Sequence, residues 1–453
     1  MGRITLQQAA AWCGGKVDPK YQDVTFLGAN NDSRKIEKDQ LFIALQGERD
    51  GHDFIPAAFQ KGAAAVLCTH CDGDYPAIVV ENTRLALGQI ARGEREKIGM
   101  KVVGVTGSVG KSTTKEMIAT ILESKYRVAK TPANHNNDIG MPMAILAMPE
   151  DTEIAVLEMG MNHFREIAYL ASIGKPDVAV IVNIGTMHIE HLGSMEGILR
   201  AKLEILEGMP ADGKIVLNGD DSLLWNQRNV LTREVVYFGV QNTESHIQAK
   251  AVSQTEDGLR FIVNTGEEAI PVLLALEGEH YVLDTLAAIA VGKELNVPAD
   301  MILQSLHNFR TMEGRQEIYE KKGFTIIEDC YNAGPESMNA ALTVLGNRTG
   351  RRVAVLGDML ELGVCTDAEH YKIGRVAAKN ADVLLAYGPK SERMLYGAIT
   401  GGMSQDSARA FTDREKLTQV LLQIANPGDT LLFKGSRGMR MELVLEKFLE
   451  EVK

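Results

Sequence analysis

Short apolar runs rich in β-branched residues alternate along this chain with longer stretches whose apolar positions recur at helical spacing. The first such runs are Leu41-Phe42-Ile43-Ala44, Ala64-Ala65-Val66-Leu67 and Ala77-Ile78-Val79-Val80, and the polar run Arg92-Gly93-Glu94-Arg95-Glu96-Lys97 closes that segment. A second series opens at Lys101-Val102-Val103-Gly104-Val105 and continues with Ile154–Leu157, Val178–Val182 and Ile215–Leu217. From Gly323 a third follows: Phe324–Ile327, Val353–Leu356, Val383–Ala386 and Thr430–Phe433, with a last amphipathic helix over Leu443–Val452. Continuous apolar runs separated by helix-length stretches predict strands buried on both faces of parallel sheets. The pattern therefore predicts α/β architecture three times over, in segments 1–97, 98–312 and 313–453, with two doubly wound sheets.

Composition narrows the functional classes. The chain has 453 residues, 45% hydrophobic and 24% charged, the balance of a soluble globular protein. Its 48 Lys+Arg against 60 Asp+Glu leave a net charge of -12, which argues against a nucleic-acid or anionic-membrane surface. No run approaches the ~18 apolar residues of a membrane span, and Gln7 and Gln8 interrupt the amino terminus where a signal peptide would be apolar. Five cysteines fit a reducing cytoplasm better than a disulfide framework. Cys68-Thr69-His70-Cys71 holds half of a zinc pattern, with no second pair to complete it.

The strongest chemical signal is Thr106-Gly107-Ser108-Val109-Gly110-Lys111-Ser112-Thr113-Thr114, between the strand 101–105 and a helix with Met117, Ile118, Ile121 and Leu122 on its apolar face. Strand, glycine loop, Lys-Ser and helix are the context of a phosphate-binding loop. Glycines let backbone N–H groups close on phosphate oxygens, and the helix start adds partial positive charge. Lys111 would reach the terminal phosphates and the Ser112 hydroxyl would ligate Mg²⁺. The strict pattern wants glycine where Val105 stands. A guanine-specifying element is missing, since Gly174-Lys175-Pro176-Asp177 has the wrong first residue and precedes its strand, so ATP is favoured over GTP. Glu158, His188 and Asp220-Asp221 follow strand ends, where a parallel sheet presents functional groups. Glu158 is a candidate Mg²⁺ carboxylate. On spacing alone His188 reads as a surface residue, Asp220-Asp221 as a turn, and Lys202 as an exposed helical lysine beside Glu204.

Taken together, these stretches resemble the Mur ligase family, which adds amino acids to the cell-wall precursor. The variant phosphate loop, with its first glycine replaced, is similar to the family's. So are Asp32-Ser33-Arg34 through Asp50-Gly51-His52-Asp53-Phe54-Ile55, Asn134-His135-Asn136-Asn137-Asp138-Ile139-Gly140-Met141-Pro142, Asp329-Cys330-Tyr331-Asn332-Ala333-Gly334-Pro335-Glu336-Ser337-Met338, and Gly357-Asp358-Met359-Leu360-Glu361-Leu362-Gly363. Within the family, the last three resemble the branch that adds D-alanyl-D-alanine.

The resemblance implies a three-domain α/β fold: an amino-terminal domain for the UDP-linked substrate, a central ATPase domain with a parallel sheet, and a Rossmann-like carboxy-terminal domain. It implies an ATP- and Mg²⁺-dependent ligase joining UDP-N-acetylmuramoyl-tripeptide to D-alanyl-D-alanine through an acyl phosphate, acting as a cytoplasmic monomer without nucleic-acid or membrane partners. By the same resemblance, Lys111, Ser112, Glu158 and His188 serve phosphate and metal, and Lys202 is carbamylated by CO₂ to bind a second Mg²⁺. Asn136 and Asn137 look like the asparagines near the γ-phosphate, and Arg315 like an arginine reaching the phosphates across the domain junction. Asp329, Tyr331, Asn332, His280 and Asp284 look like further nucleotide contacts. Ser33, Arg34, Asp50, Gly51 and His52 look like contacts to the UDP end, and Lys434-Gly435-Ser436-Arg437 like a tail near the dipeptide. Two departures stand out: Asp284 replaces an asparagine expected near adenine or ribose, and Cys330 would set a thiol beside the nucleotide.

Overall fold

A computed structural model describes residues 3–452. The first segment holds an antiparallel pair, Ile4–Thr5 with Thr25–Phe26, and a parallel sheet ordered Ala29–Asn30, Leu41–Ile43, Ala65–Cys68, Ala77–Val79. Helix Thr83–Ile98 follows. It starts where the Asn82 side chain accepts the Leu85 N–H and stops at Gly99, whose φ of +71 lies in the left-handed region glycine tolerates. Two of its glycines are there for close approach: a Cβ at Gly93 would lie 2.2 Å from Trp12, and one at Gly88 2.2 Å from the Tyr169 hydroxyl. Through this helix the first segment and one face of the central sheet share a single apolar core.

The central sheet is ordered Ala269–Leu274, Gly258–Asn264, Ile247–Thr255, Val235–Gly239, Lys214–Asn218, Val178–Ile181, Lys101–Thr106, Ile154–Glu158, Val128–Lys130. From Ile247–Thr255 to Val128–Lys130 the strands run parallel, but Gly258–Asn264 and Ala269–Leu274 pair antiparallel. The expected parallel sheet is thus present, extended at one margin by two antiparallel strands. There the chain alternates buried and exposed residues, a half-solvated pattern that a search for continuous apolar runs passes over. Along Lys101–Thr106, Val103 and Val105 point into a core shared with helices Lys111–Glu123 and His280–Glu294, while Val102 points into the other.

The last segment is a second parallel sheet ordered Glu317–Lys321, Phe324–Asp329, Thr430–Lys434, Arg352–Gly357, Val383–Tyr387, Ala408–Phe411. Only Glu317–Lys321 is antiparallel to its neighbour. The two outermost strands escape the sequence pattern because edge strands carry polar, solvated residues. Separate apolar clusters cover the two faces of this sheet. Its contacts with the central segment include polar ones, Arg348 to Glu277 at 2.6 Å and Gln316 Nε2 donating to the Glu277 carbonyl, beside apolar approaches of Met187 to Gly334 and of Val344 to Gly278. No helix among the described residues is long and apolar enough to cross a membrane.

Candidate active site between two sheet edges

The carboxyl ends of strands from the central and last sheets line one cleft of about 440 Å³. On the central side, the glycine loop passes from Lys101–Thr106 into helix Lys111–Glu123. Val105 stands where the strict pattern has glycine because that position still belongs to the strand and fills the core; it is fully buried. Gly110 is needed twice over. Its φ is +82, and a Cβ there would lie 2.6 Å from Asp284 Oδ1. Asn183 holds the loop from the next strand: its side-chain oxygen accepts from Ser108 N–H and Val109 N–H, both at 3.0 Å, and its amide donates to the Val109 carbonyl at 3.0 Å. Lys111 folds over the loop, Nζ donating to the carbonyls of Gly107 (2.8 Å) and Ser108 (3.1 Å). Burial lowers the pKa of Lys111, with Glu158 opposing and Arg315 adding to the shift.

Glu158 ends its strand buried. One carboxylate oxygen accepts from Asn136 Nδ2 at 2.8 Å, while Oε2 is buried with no protein partner. An orphaned carboxylate oxygen lining a cleft beside the Ser112 hydroxyl fits a hard cation's donor set. His188 also lines the cleft, in left-handed backbone at φ +64. Lys202 is not the exposed helical lysine that spacing alone gives. It is 2% exposed and forms no ion pair among the described residues, and its pKa is lowered well below the usual lysine range by burial and then by the Lys111 charge. A lowered pKa favours carbamylation, because the unprotonated nitrogen is the nucleophile towards CO₂.

From the last segment, Arg315 crosses the cleft. Its guanidinium lies 3.9 Å from the Tyr331 ring centroid and donates to Ser112 Oγ at 3.0 Å. Lys434 is buried and donates to Asp329 Oδ2 (2.6 Å) and to the Asn332 carbonyl (3.0 Å), fixing the loop that carries Tyr331. Glu336 closes a second bridge, accepting from Thr186 N–H (2.9 Å) and Thr186 Oγ1 (3.2 Å). Sequence reasoning singled out neither Asn183 nor Glu336; the first directly follows the strand run Val178–Val182 and the second lies inside Asp329–Met338, but only the fold turns them towards the loop and the cleft.

Several expected residues are placed differently. Asn137 turns its oxygen to the N–H groups of Ile139 (3.2 Å) and Gly140 (2.8 Å), where it opens helix Gly140–Leu146 instead of lining the cleft. Cys330 is buried against Phe433 and Phe448 behind the sheet, its thiol contacting the Phe433 carbonyl and its pKa pushed up by burial. It is no reactive group beside a nucleotide. His280 is half-buried in the cleft wall, where desolvation lowers its pKa to about 4. Ser33, Arg34, Asp50, Gly51 and His52 lie apart from the cleft lining. Asp32 binds the Arg34 guanidinium at 2.9 Å, and Asp50 and Thr69 N–H engage the two nitrogens of His52, so His52 shapes its turn. No metal-binding cluster involving Cys68 and Cys71 occurs among the described residues. Asp221 accepts from the N–H groups of Leu223 and Leu224, and Asp220 from Val240, Gln241 and Asn242, as turn residues do.

Asp284 lies against Gly110 and accepts the Thr114 hydroxyl at 2.7 Å, on the phosphate-loop side of the cleft. Burial pushes its pKa from 3.8 to about 7. Between those two values the folded chain holds a proton that the unfolded chain has released, so stability falls as pH rises through this window. Asp284→Asn keeps the shape without the charge. It is expected to raise the melting temperature near pH ~8 by several degrees and to flatten the decline from pH ~5. Parallel melting curves for both proteins across that range would contradict this.

Family models match along nearly the whole chain: the Mur ligase family catalytic domain over residues 23–95, the Mur ligase middle domain over 105–292, and the Mur ligase glutamate ligase domain over 314–437. A Bacillus subtilis protein named UDP-N-acetylmuramoyl-tripeptide--D-alanyl-D-alanine ligase is 40% identical over 448 residues, covering 96% of each chain. The Escherichia coli protein of the same name is 35% identical, covering 99% of this chain and 98% of its own. Among solved structures, MurF from Acinetobacter baumannii superposes with a TM-score of 0.91 at 31% identity, covering 100% of both chains. MurF ligase from Thermotoga maritima in complex with ADP gives 0.83 at 31% identity, covering 94% of this chain and 98% of that one. With its three α/β segments, its variant phosphate loop and these matches, the chain belongs to the Mur ligase family.

Proposed function

We propose that this protein is an ATP-dependent ligase of peptidoglycan precursor synthesis, joining the terminal carboxylate of UDP-N-acetylmuramoyl-tripeptide to the amine of D-alanyl-D-alanine. The observation that carries the reading is the cleft itself. A phosphate loop on one sheet edge and Arg315 with Tyr331 on the other converge on one hydroxyl, Ser112. The near-full-length relatives bearing that activity in their names select the substrates.

In this reading the loop N–H groups and Lys111 hold the ATP phosphates, and Arg315 neutralises them from the opposite lobe. Asn136, Asp329, Asn332, His280 and Asp284 wall the nucleotide. A tripeptide carboxylate oxygen attacks the γ-phosphorus, ADP leaves, and an acyl phosphate forms. The dipeptide amine then attacks the acyl carbon, and the tetrahedral adduct expels phosphate to leave the amide. Ser112, Glu158, His188 and Lys202 as its carbamate would hold Mg²⁺, which when bound offsets the charge that carboxylate and phosphates bring together. Forming the carbamate joins the neutral Lys202 nitrogen to CO₂ carbon with loss of a proton. Ser33, Arg34 and the Asp50-Gly51-His52 turn are proposed to receive the UDP end, and the Lys434–Arg437 stretch to face the dipeptide. Closing the last segment over the reactants would exclude water from the acyl phosphate.

Phosphate release from ATP tests this directly. Release is expected to require both UDP-N-acetylmuramoyl-tripeptide and D-alanyl-D-alanine. Equal release with free amino acids, or release needing neither partner, would overturn the assignment.

A further inference from the structure

We propose that Glu361 is a positioning residue for His188, so that the carboxy-terminal lobe orients a metal-binding group of the central lobe. This rests on the reading of His188 as a metal ligand.

His188 Nδ1 is hydrogen-bonded to Glu361 Oε2 across the junction between lobes. A carboxylate only accepts, so Nδ1 carries the proton and donates. Nε2 has no hydrogen-bond partner among the described residues, on a side chain that lines the cleft with Glu158. A histidine whose outer N–H is held by a carboxylate is fixed in ring orientation and tautomer and made more basic, as metal-bound histidines commonly are. Glu361 is bonded through its side chain to no other described residue, so the contact is not incidental to a cap or a turn.

Backbone geometry shows that the contact is built into both lobes. His188 has φ +64 and Glu361 φ +62. Neither is glycine, and left-handed backbone is sterically unfavourable for a residue with a Cβ. Unfavourable backbone at both ends of one hydrogen bond persists only where the surroundings enforce it. They do so here: a Cβ added at Gly363, two residues on, would lie 3.0 Å from the Glu190 side chain, which seats the loop on the helix that His188 starts. Metal affinity on the central lobe is thereby coupled to docking of the other lobe.

Mn²⁺ binding to the full chain in the presence of ADP, followed by electron paramagnetic resonance, tests this without relying on turnover. Glu361→Asn is too short to reach His188, and asparagine tolerates left-handed backbone. It is expected to weaken Mn²⁺ binding by about tenfold or more while melting no lower than the parent. Glu361→Gln keeps an acceptor oxygen in reach and is expected to stay within about threefold of the parent. Metal-free ADP affinity is expected to be unchanged in both. Parent-like Mn²⁺ binding by Glu361→Asn, with binding weakened in His188→Ala, would overturn the role of Glu361 alone. Parent-like binding by His188→Ala as well would overturn the metal reading beneath it.

Discussion

Lys202→Ala is expected to lower turnover by a factor on the order of 10²–10³ without unfolding the protein. The side chain is almost wholly buried and unpaired among the described residues, and burial, then the nearby Lys111 charge, lowers its pKa well below the usual lysine range. In its protonated form it would be a desolvated cation with nothing to offset it, a costly arrangement for a structural residue. As a carbamate it becomes an anion that two neighbouring positive charges, Lys111 and a bound Mg²⁺, would favour. Alanine removes that anion but leaves space for a small one. Acetate or formate is therefore expected to restore part of the activity of Lys202→Ala and none of that of the parent. Parent-like turnover in the variant would refute the metal role.

Lys111→Ala should be more damaging still, lowering turnover by at least about a thousandfold. In the structure the ammonium group staples the loop by donating to the carbonyls of Gly107 and Ser108. Those bonds keep the loop in shape and keep the charge where phosphate oxygens would arrive. The helix and its apolar face do not depend on it, since Met117, Ile118, Ile121 and Leu122 are fully buried on the other side. A normal melting curve with ATP turnover lost is the expected pair of results. Retained turnover would remove the phosphate loop from the chemistry. A secondary consequence follows from the charge that Lys111 places near Lys202: without it, Lys202 should hold its proton to higher pH and react less readily with CO₂.

The parallel cores were legible in the sequence because they are buried on both faces. Val102–Val105, Ile154–Leu157 and Val353–Leu356 read as continuous apolar runs and fold as strands within a residue or so of those limits. Gly258–Asn264 and Ala269–Leu274 were not, because one face of each meets water and their apolar residues come singly. The phosphate loop was legible because glycine, lysine and serine have to be adjacent in the chain to work. Lys202 and His188 were not, except through the family resemblance. Their meaning is burial and neighbourhood, which depend on strands far apart in sequence; Lys202 on a helix beside Glu204 looks like any solvated pair. Asn137 and Cys330 show the opposite error. Each stands beside a residue that lines the cleft, Asn136 and Tyr331, yet its own side chain turns away to open a helix or to fill the core.

The Asp284 position shows how local physics can revise a position-by-position transfer from relatives. An aspartate in place of asparagine reads as a change at the nucleoside end, but the fold sets it under Gly110 with Thr114 as its donor. Its charge therefore bears on the phosphates. At the pH where it holds its proton it would resemble the asparagine that the family resemblance leads one to expect, and above that it adds negative charge beside the phosphate loop.

The central claim is that one cleft gathers the phosphates of ATP between lobes, with Lys111 and Ser112 on one side and Arg315 on the other. A crystal structure of the full chain with Mg²⁺ and a non-hydrolysable ATP analogue measures this most directly. The terminal phosphate is expected within hydrogen-bonding reach of both Lys111 and Arg315, with the cation at Ser112 and the free oxygen of Glu158. A triphosphate bound elsewhere, or one in the loop that leaves Glu158 Oε2 and Arg315 unengaged, would contradict it.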